Sequence, residues 1–202
     1  GIMEQFPSAH IISSQVEHAS VINTLDVLKK KGAHITLMAP GPLGAVTAEA
    51  VLSEITPQTK LIALMAANNE TGVKTDIEAI AKIALERTIL LFVDGACLLG
   101  KEQISIPEGV SAMSFSGHKC HGPLGIGFSF IRKSVKFSSM ITGGEQEFGK
   151  RGGTENVPAI AGLAEAIAQL KKHHPLAEKR MRTLRDTFES QIIKAFPDTH
   201  IN

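Results

Sequence analysis

The chain has 202 residues, of which 43% are hydrophobic and 20% are charged, as in a soluble globular protein rather than a disordered one. Its 21 Lys and Arg residues nearly balance its 20 Asp and Glu residues, so we expect no nucleic-acid partner and no membrane partner. No apolar run is long enough to cross a bilayer, and two cysteines, Cys97 and Cys120, are too few for a disulfide framework, which favours a cytoplasmic protein.

Apolar runs typical of strands alternate with helical patterns from residue 10 to residue 131. We predict strands over residues 10–14, 34–38, 60–65, 89–93, 110–115 and 126–131. The predicted helices cover residues 21–28, which Gly32 ends, residues 47–55, which Thr47 caps, and residues 77–84, which Asp76 caps. This order predicts an α/β fold with a mostly parallel sheet flanked by helices. Ligands of such sheets bind at the loops that follow the carboxyl ends of the strands.

The pattern changes after a glycine-rich stretch over residues 143–153. Residues 157–170 are rich in alanine and predict a helix, in which Pro158 is tolerated because it falls in the first turn. We expect His173-His174-Pro175 to end that helix and a second helix to cover residues 176–195. Residues 200–202 have the pattern of a further strand, and the abrupt edges suggest a piece of a longer protein.

The most informative stretch is Ser114-Phe115-Ser116-Gly117-His118-Lys119, which comes at the end of a predicted strand. A lysine amine in its neutral form can attack a carbonyl carbon and form a Schiff base. The side chains of Ser116 and His118 can donate hydrogen bonds to an anion such as a phosphate. The alternative from this stretch alone is a solvated lysine in a glycine-rich turn.

Polar side chains follow three other predicted strands. Asp94 ends an apolar run, where its carboxylate can either keep the ring nitrogen of a cofactor protonated or cap a helix. Asn68 and Asn69 can donate to a ring hydroxyl or a carboxylate, or can form a turn. His18 can stack on a planar ring and move protons, although a lone histidine is more often a polar loop residue.

The glycine-rich stretch leads into a second group of polar side chains. Arg151 and Thr154 precede a predicted helix, a position suited to an anion, although a mobile loop has the same composition. The eight His and two Cys residues show no metal-ligand spacing such as paired C-x-x-C motifs. We therefore expect no metal site.

The order and spacing of these stretches resemble the cysteine desulfurases and selenocysteine lyases, pyridoxal-phosphate enzymes of fold type I in the class V aminotransferase group. The matching stretches are Val16-Glu17-His18, residues 67–72, the strand before Asp94, residues 114–119 with Gly122-Pro123, and residues 151–157. The resemblance covers about residues 10–170. It implies a large cofactor-binding domain over residues 1–156 and, over residues 157–202, helices that lead to a truncated small domain.

The resemblance implies a role for each matching residue. Lys119 would form the internal aldimine with pyridoxal 5'-phosphate and then move the Cα proton of the substrate. His18 would stack on the pyridine ring and help in proton transfer, and Asp94 would pair with the pyridinium nitrogen. The other implied contacts are Asn69 to the phenolic oxygen or the substrate, Ser116 and His118 to the phosphate, and Thr154 to the phosphate of the neighbouring subunit in a homodimer.

The implied reaction converts L-cysteine to L-alanine. A separate cysteine thiolate keeps the sulfur as a persulfide and passes it to an acceptor, often an iron–sulfur scaffold protein, for iron–sulfur cluster or thio-cofactor assembly. Two alternatives stay open. One is a selenocysteine lyase, acting on L-selenocysteine, or another enzyme of the class V aminotransferase type. The other is a non-catalytic paralogue that acts as a partner or scaffold.

The sequence departs from the family pattern in three respects. Cys97 stands where the family usually has a glutamine that donates to the phenolic oxygen, and a thiol is a poor donor. We expect Cys97 to lie beside the cofactor without being the sulfur-accepting nucleophile. Cys120 follows the lysine, where we expect a small buried hydrophobe. The family's upstream phosphate loop, cysteine loop and substrate-binding arginine are missing, so we expect the chain alone to be a poor catalyst.

Overall fold

A six-stranded sheet organises the chain in the computed structural model, which describes residues 1–201. The strands are β1 His10–Ser14, β2 His34–Met38, β3 Thr59–Met65, β4 Leu90–Asp94, β5 Ala112–Ser116 and β6 Gly127–Ile131. Their spatial order is β2-β1-β3-β4-β5-β6, and every neighbouring pair is parallel except β5 with β6. The predicted α/β fold with a mostly parallel sheet is therefore confirmed.

Helices flank the sheet on both faces. They are α1 Ile2–Gln5, α2 Ala19–Lys30, α3 Ala48–Ser53, α4 Ile77–Glu86, α5 Gln146–Gly149 and α6 Val157–Ala195, with a 3-10 turn at Gly117–Cys120. Successive residues of a strand point to opposite faces. Ile11 accordingly packs in one apolar cluster with Leu25 of α2, whereas Ile12 packs in another with Val51 of α3 and Ile80 of α4. The central strand β1 is thus buried between α2 and the pair α3 and α4.

The predicted helix caps are confirmed. Thr47 Oγ1 accepts a hydrogen bond from the N–H of Ala50 at 3.2 Å, and Asp76 Oδ1 accepts one from the N–H of Ala79 at 3.0 Å. Each bond satisfies an N–H group that has no acceptor inside the first turn of its helix. Local sequence therefore sets where α3 and α4 begin.

Parallel pairing brings five strand ends to one edge of the sheet, which we call the carboxyl edge. It contains the last residues of β1 to β5, which are Ser14, Met38, Met65, Asp94 and Ser116. The register places Asp94 beside Met65 on one side and beside Ser114 on the other. The loops that carry the candidate functional residues leave the sheet along this edge.

The predicted break at His173-His174-Pro175 is wrong, because α6 continues through Pro175 from Val157 to Ala195. The ring of Pro175 removes one N–H donor, and the carbonyl that loses it belongs to Lys171. Lys171 is exposed, so water can hydrate that carbonyl. His174 Nδ1 also lies 3.7 Å from Glu178 Oε2, a contact that spans the proline.

The chain after α6 has no regular secondary structure through Ile201. The N–H of Thr199 donates to Phe196 O at 3.0 Å in a turn that follows the helix. The strand predicted over residues 200–202 is therefore wrong for His200 and Ile201, and Asn202 lies outside the described residues.

The continuity of α6 leads to a test at its proline. Pro175→Ala restores the missing donor and should stabilise the helix by up to about 3 kcal/mol. We expect slower amide hydrogen exchange in the turns around residue 175. Pro158→Ala is the matched control, because Pro158 lies in the first turn, where the N–H has no helical acceptor. Exchange that is unchanged or faster in Pro175→Ala would contradict this account.

Candidate functional site

Hydrogen bonds of Asn68 join the loops that follow β1 and β3. Its Nδ2 donates to Val16 O at 3.0 Å, and its Oδ1 accepts from the N–H groups of Glu70 and Thr71 at 2.9 Å each. Asn69 is exposed and makes no side-chain hydrogen bond within the described residues. The two amides therefore differ in what they can do: Asn68 shapes the loop, and Asn69 can donate to a ligand.

His18 begins α2 as its N-cap. Its Nδ1 accepts a hydrogen bond from the N–H of Ser20 at 3.2 Å and lies 2.8 Å from Ser20 Oγ. These contacts orient the exposed ring and leave Nε2 without a protein partner among residues 1–201. The ring can therefore lie against a planar ligand and exchange a proton at Nε2. The sequence pointed to this residue but not to its capping role.

Asp94 uses one carboxylate oxygen in the protein and leaves the other available. Its Oδ1 accepts a hydrogen bond from the N–H of Ala96 at 2.9 Å in a turn. No helix begins there, so the alternative of a helix cap is wrong. Its Oδ2 has no hydrogen-bond partner within the described part of the chain. The half-buried side chain lines a cavity of about 320 Å³ between α2 and the sheet, together with Thr24 and Ser114. A ligand N–H in this cavity can therefore donate to Asp94.

Lys119 lies on the 3-10 turn that follows β5 and contacts the segment that follows β4. Its half-buried Nζ lies 3.4 Å from Cys97 Sγ. Gly117 lets the turn fold tightly, because a Cβ there would come within 2.7 Å of Ile126 O. The structure thus brings together an amine and a thiol that are 22 residues apart in the chain.

The remaining side chains of this turn are free to bind a ligand or are buried in the fold. The Ser116 hydroxyl makes no capping hydrogen bond. His118 is exposed and has no hydrogen-bond partner among the described residues. Cys120 is buried, and its Sγ donates to Gly117 O at 3.1 Å. Ser116 and His118 can therefore serve as donors to an anion, whereas Cys120 belongs to the protein interior.

Thr154 lies in the exposed segment between α5 and α6. Neighbouring residues shape this segment: Arg151 Nη1 donates to Gly153 O at 3.2 Å, and Asn156 Oδ1 accepts from the N–H of Ala159 at 3.2 Å to cap α6. Thr154 makes no hydrogen bond to the other candidate residues within residues 1–201. Its contact with a neighbouring subunit stays a prediction.

Glu17 is a candidate residue that the sequence reasoning missed. It is 8% exposed, and its Oε1 accepts a hydrogen bond from Ser14 Oγ at 2.6 Å. Its Oε2 is buried and has no partner among the described residues. The pKa of Glu17 is raised to about 7, chiefly by burial. The Ser14 hydroxyl and the backbone of Met65 lower it, and the charge of Asp94 adds a smaller rise. The one signal in the sequence was its place beside His18.

The described residues offer neither a metal-binding cluster nor a membrane-spanning helix. Within residues 1–201, no group of three or more His, Cys, Asp or Glu side chains is arranged to hold a metal ion. No helix in the described part of the chain combines the length and the apolar composition needed to cross a membrane. Cys97 and Cys120 are free thiols.

The family model for class-V aminotransferases matches residues 3–201. The chain belongs to the class-V aminotransferase family. "Cysteine desulfurase 2" of Trichormus variabilis is 38% identical to it over 194 residues, which are 96% of this chain and 48% of that relative. The chain thus spans about half the length of the curated relatives it matches.

Solved structures of similar proteins agree with this family membership. A NifS-like protein has a TM-score of 0.90 and 34% identity, over 96% of this chain and 54% of that one. A structure described as SspA in complex with cysteine has a TM-score of 0.77 and 36% identity, over 80% of this chain and 47% of that one. The six-stranded sheet and its helices are therefore the fold of this family.

The buried carboxyl of Glu17 predicts a pH-dependent difference in stability. Its pKa of about 7 exceeds the ordinary value of 4.5, so ionisation of Glu17 destabilises the folded chain. This destabilisation is absent at low pH and reaches its full size above about pH 7. Glu17→Gln cannot ionise and should therefore gain up to about 3 kcal/mol in the free energy of unfolding over the parent chain as the pH rises across this range.

Urea unfolding of both chains at about pH 5 and about pH 8 measures this difference. Glu70→Gln is the control, because Glu70 is an exposed carboxylate on the neighbouring loop and should give no pH-dependent gain. A gain for Glu17→Gln that is the same at both pH values would contradict the assignment of this titration to Glu17.

Proposed function

We propose that this chain is the cofactor-binding part of a pyridoxal-phosphate-dependent cysteine desulfurase. The observation that carries the proposal is the carboxyl edge of the sheet, where an amine, an available carboxylate oxygen and an oriented imidazole come from Lys119, Asp94 and His18. Family membership supports the cofactor, and the relatives that are named cysteine desulfurases support the reaction. The neighbour that was solved with cysteine supports L-cysteine as the substrate.

The residues at the carboxyl edge fit pyridoxal phosphate. The cavity of about 320 Å³ beside Asp94 lies within the usual range for small-ligand sites. The set of side chains supplies an acceptor for a ring N–H in Asp94, a nucleophilic amine in Lys119, and donors for a phosphate in Ser116 and His118. When bound, pyridoxal phosphate acts as an electron sink for the negative charge that forms at the substrate Cα.

Each of these side chains then has a defined task. Lys119 Nζ would hold the cofactor at its aldehyde carbon, with release of water, and would move the proton of the substrate Cα. Asp94 Oδ2 would accept a hydrogen bond from the protonated ring nitrogen. His18 would stack on the ring and would exchange a proton at Nε2. Asn69 donates to the phenolic oxygen or to the substrate, and Thr154 serves the phosphate of a neighbouring subunit in a homodimer.

The proposed domain division places the cofactor-binding domain in residues 1–156, and residues 157–202 lead to a smaller domain.

We further propose that the sulfur passes as a persulfide to an acceptor or iron–sulfur scaffold protein in the cytoplasm. Selenocysteine is the alternative substrate. Cys97, which replaces the usual glutamine, is the observation that favours the second candidate, a non-catalytic paralogue.

A cofactor titration tests the proposal at Lys119. Added pyridoxal phosphate should give a visible absorption band that Lys119→Ala lacks, because Lys119 supplies the amine of the proposed site. Lys101→Ala is the matched control: Lys101 Nζ donates to Cys97 O at 3.3 Å, but the side chain is exposed. A band that persists in Lys119→Ala, or that disappears in both variants, would contradict the assignment.

A second titration examines the side chain at position 97. Cys97→Gln should lower the Kd for pyridoxal phosphate about fivefold, because the amide adds a hydrogen-bond donor where the thiol donates poorly. Cys97→Ala serves as the control, since it removes the thiol without adding a donor and should not tighten binding. Unchanged or weaker binding by Cys97→Gln would place Cys97 away from the cofactor's phenolic oxygen.

A further inference from the structure

Glu17 has no task in the proposed function, although it is the most buried carboxyl group at the carboxyl edge. A carboxyl that is 8% exposed must either be paired or remain uncharged, because burial of an isolated charge is costly. Ser14 Oγ donates to Oε1 at 2.6 Å, and Ser14 is itself 1% exposed. The buried Oε2 has no partner among the described residues.

The groups around Glu17 offer no positive charge to balance its ionised form. From β4 the charge of Asp94 acts on it, from β3 the backbone of Met65 approaches it, and His18 follows it in the chain. Among residues 1–201, no Lys or Arg lies within 4.0 Å of its carboxyl oxygens. When two carboxyl groups influence each other, the more buried one retains its proton. Burial therefore favours the uncharged form of Glu17 beside Asp94.

The contact between Glu17 and Ser14 also fixes the turn that leads to His18. Ser14 is the last residue of β1, so the bond closes a turn directly beyond the strand. On the other side of this turn, Asn68 Nδ2 donates to Val16 O at 3.0 Å. His18 follows at once and caps α2. The position of its ring therefore depends on a turn that is held from both sides.

We propose that Glu17 is a positioning residue of this site: its carboxyl group, held by Ser14, fixes the turn that presents His18 and stands beside Asp94 as an uncharged neighbour. The inference rests on the proposed function, because that function assigns His18 and Asp94 to the cofactor ring. In its acid form Glu17 leaves Asp94 as the one carboxylate available to the ring nitrogen.

Three variants separate length, charge and hydrogen bonding at this position. Glu17→Gln keeps the length and the acceptor for Ser14 and has no charge. Glu17→Asp keeps the acid but is too short to hold the same contact, and Glu17→Ala removes the group. Glu70→Gln, on the exposed neighbouring loop, is the control. Circular dichroism verifies that each variant is folded.

The first measurement needs no cofactor. The ring C–H resonances of His18 in the NMR spectrum should stay in place in Glu17→Gln and move in Glu17→Ala and Glu17→Asp. The second is the Kd for pyridoxal phosphate from the visible absorption titration. We expect Glu17→Gln to bind within about twofold of the parent chain, and Glu17→Ala and Glu17→Asp to bind about tenfold more weakly, the effect of one lost hydrogen bond.

The outcomes distinguish this inference from the proposed function. If the parent chain gives no absorption band, the proposed function fails, and the His18 resonances still decide whether Glu17 fixes the turn. If the parent binds and Glu17→Ala matches it in Kd and in the His18 resonances, the inference alone is overturned. If Glu17→Asp binds well and Glu17→Gln binds poorly, the uncharged role is wrong. If Glu17→Ala does not fold, the His18 resonances and the Kd of Glu17→Gln and Glu17→Asp decide whether Glu17 positions His18, and equal values in the two variants would overturn the inference.

Discussion

Parallel pairing of β1, β3, β4 and β5 is the constraint on which the rest of the molecule depends. Main-chain hydrogen bonds in register place Asp94 beside Met65 and Ser114, and every loop that follows these strands must leave along the same edge. Strand pairing alone therefore brings residues from distant parts of the chain together, and no contact between their side chains is needed. The buried apolar clusters on both faces hold the strands in this register.

Charge at this edge is distributed by burial. Asp94 is half-buried and bonded to the N–H of Ala96, whereas Glu17 is almost fully buried and bonded to the hydroxyl of Ser14. Burial raises the pKa of Glu17 to about 7 and so favours its protonated form. A site with a single carboxylate suits a ligand with one protonated ring nitrogen. The Lys119 amine, beside Cys97, remains available for covalent chemistry.

Local patterns predicted the fold well and the site in part. Apolar runs gave each strand within two residues of its observed bounds, and Thr47 and Asp76 marked where helices begin, because these signals act over a few residues. The break at Pro175 was wrong because the solvent exposure of Lys171 cannot be read from the sequence. The burial of Glu17 and the different tasks of Asn68 and Asn69 arise from contacts between loops, and no local pattern encodes them.

The most direct test of the carboxyl edge as a pyridoxal phosphate site is chemical trapping. The chain is mixed with pyridoxal phosphate and reduced with borohydride, and its peptides are mapped by mass spectrometry, so that every amine in the chain competes for the label. The account predicts that the reduced cofactor is attached to the peptide that contains Lys119. A label spread over exposed lysines such as Lys101, with none on Lys119, would contradict it.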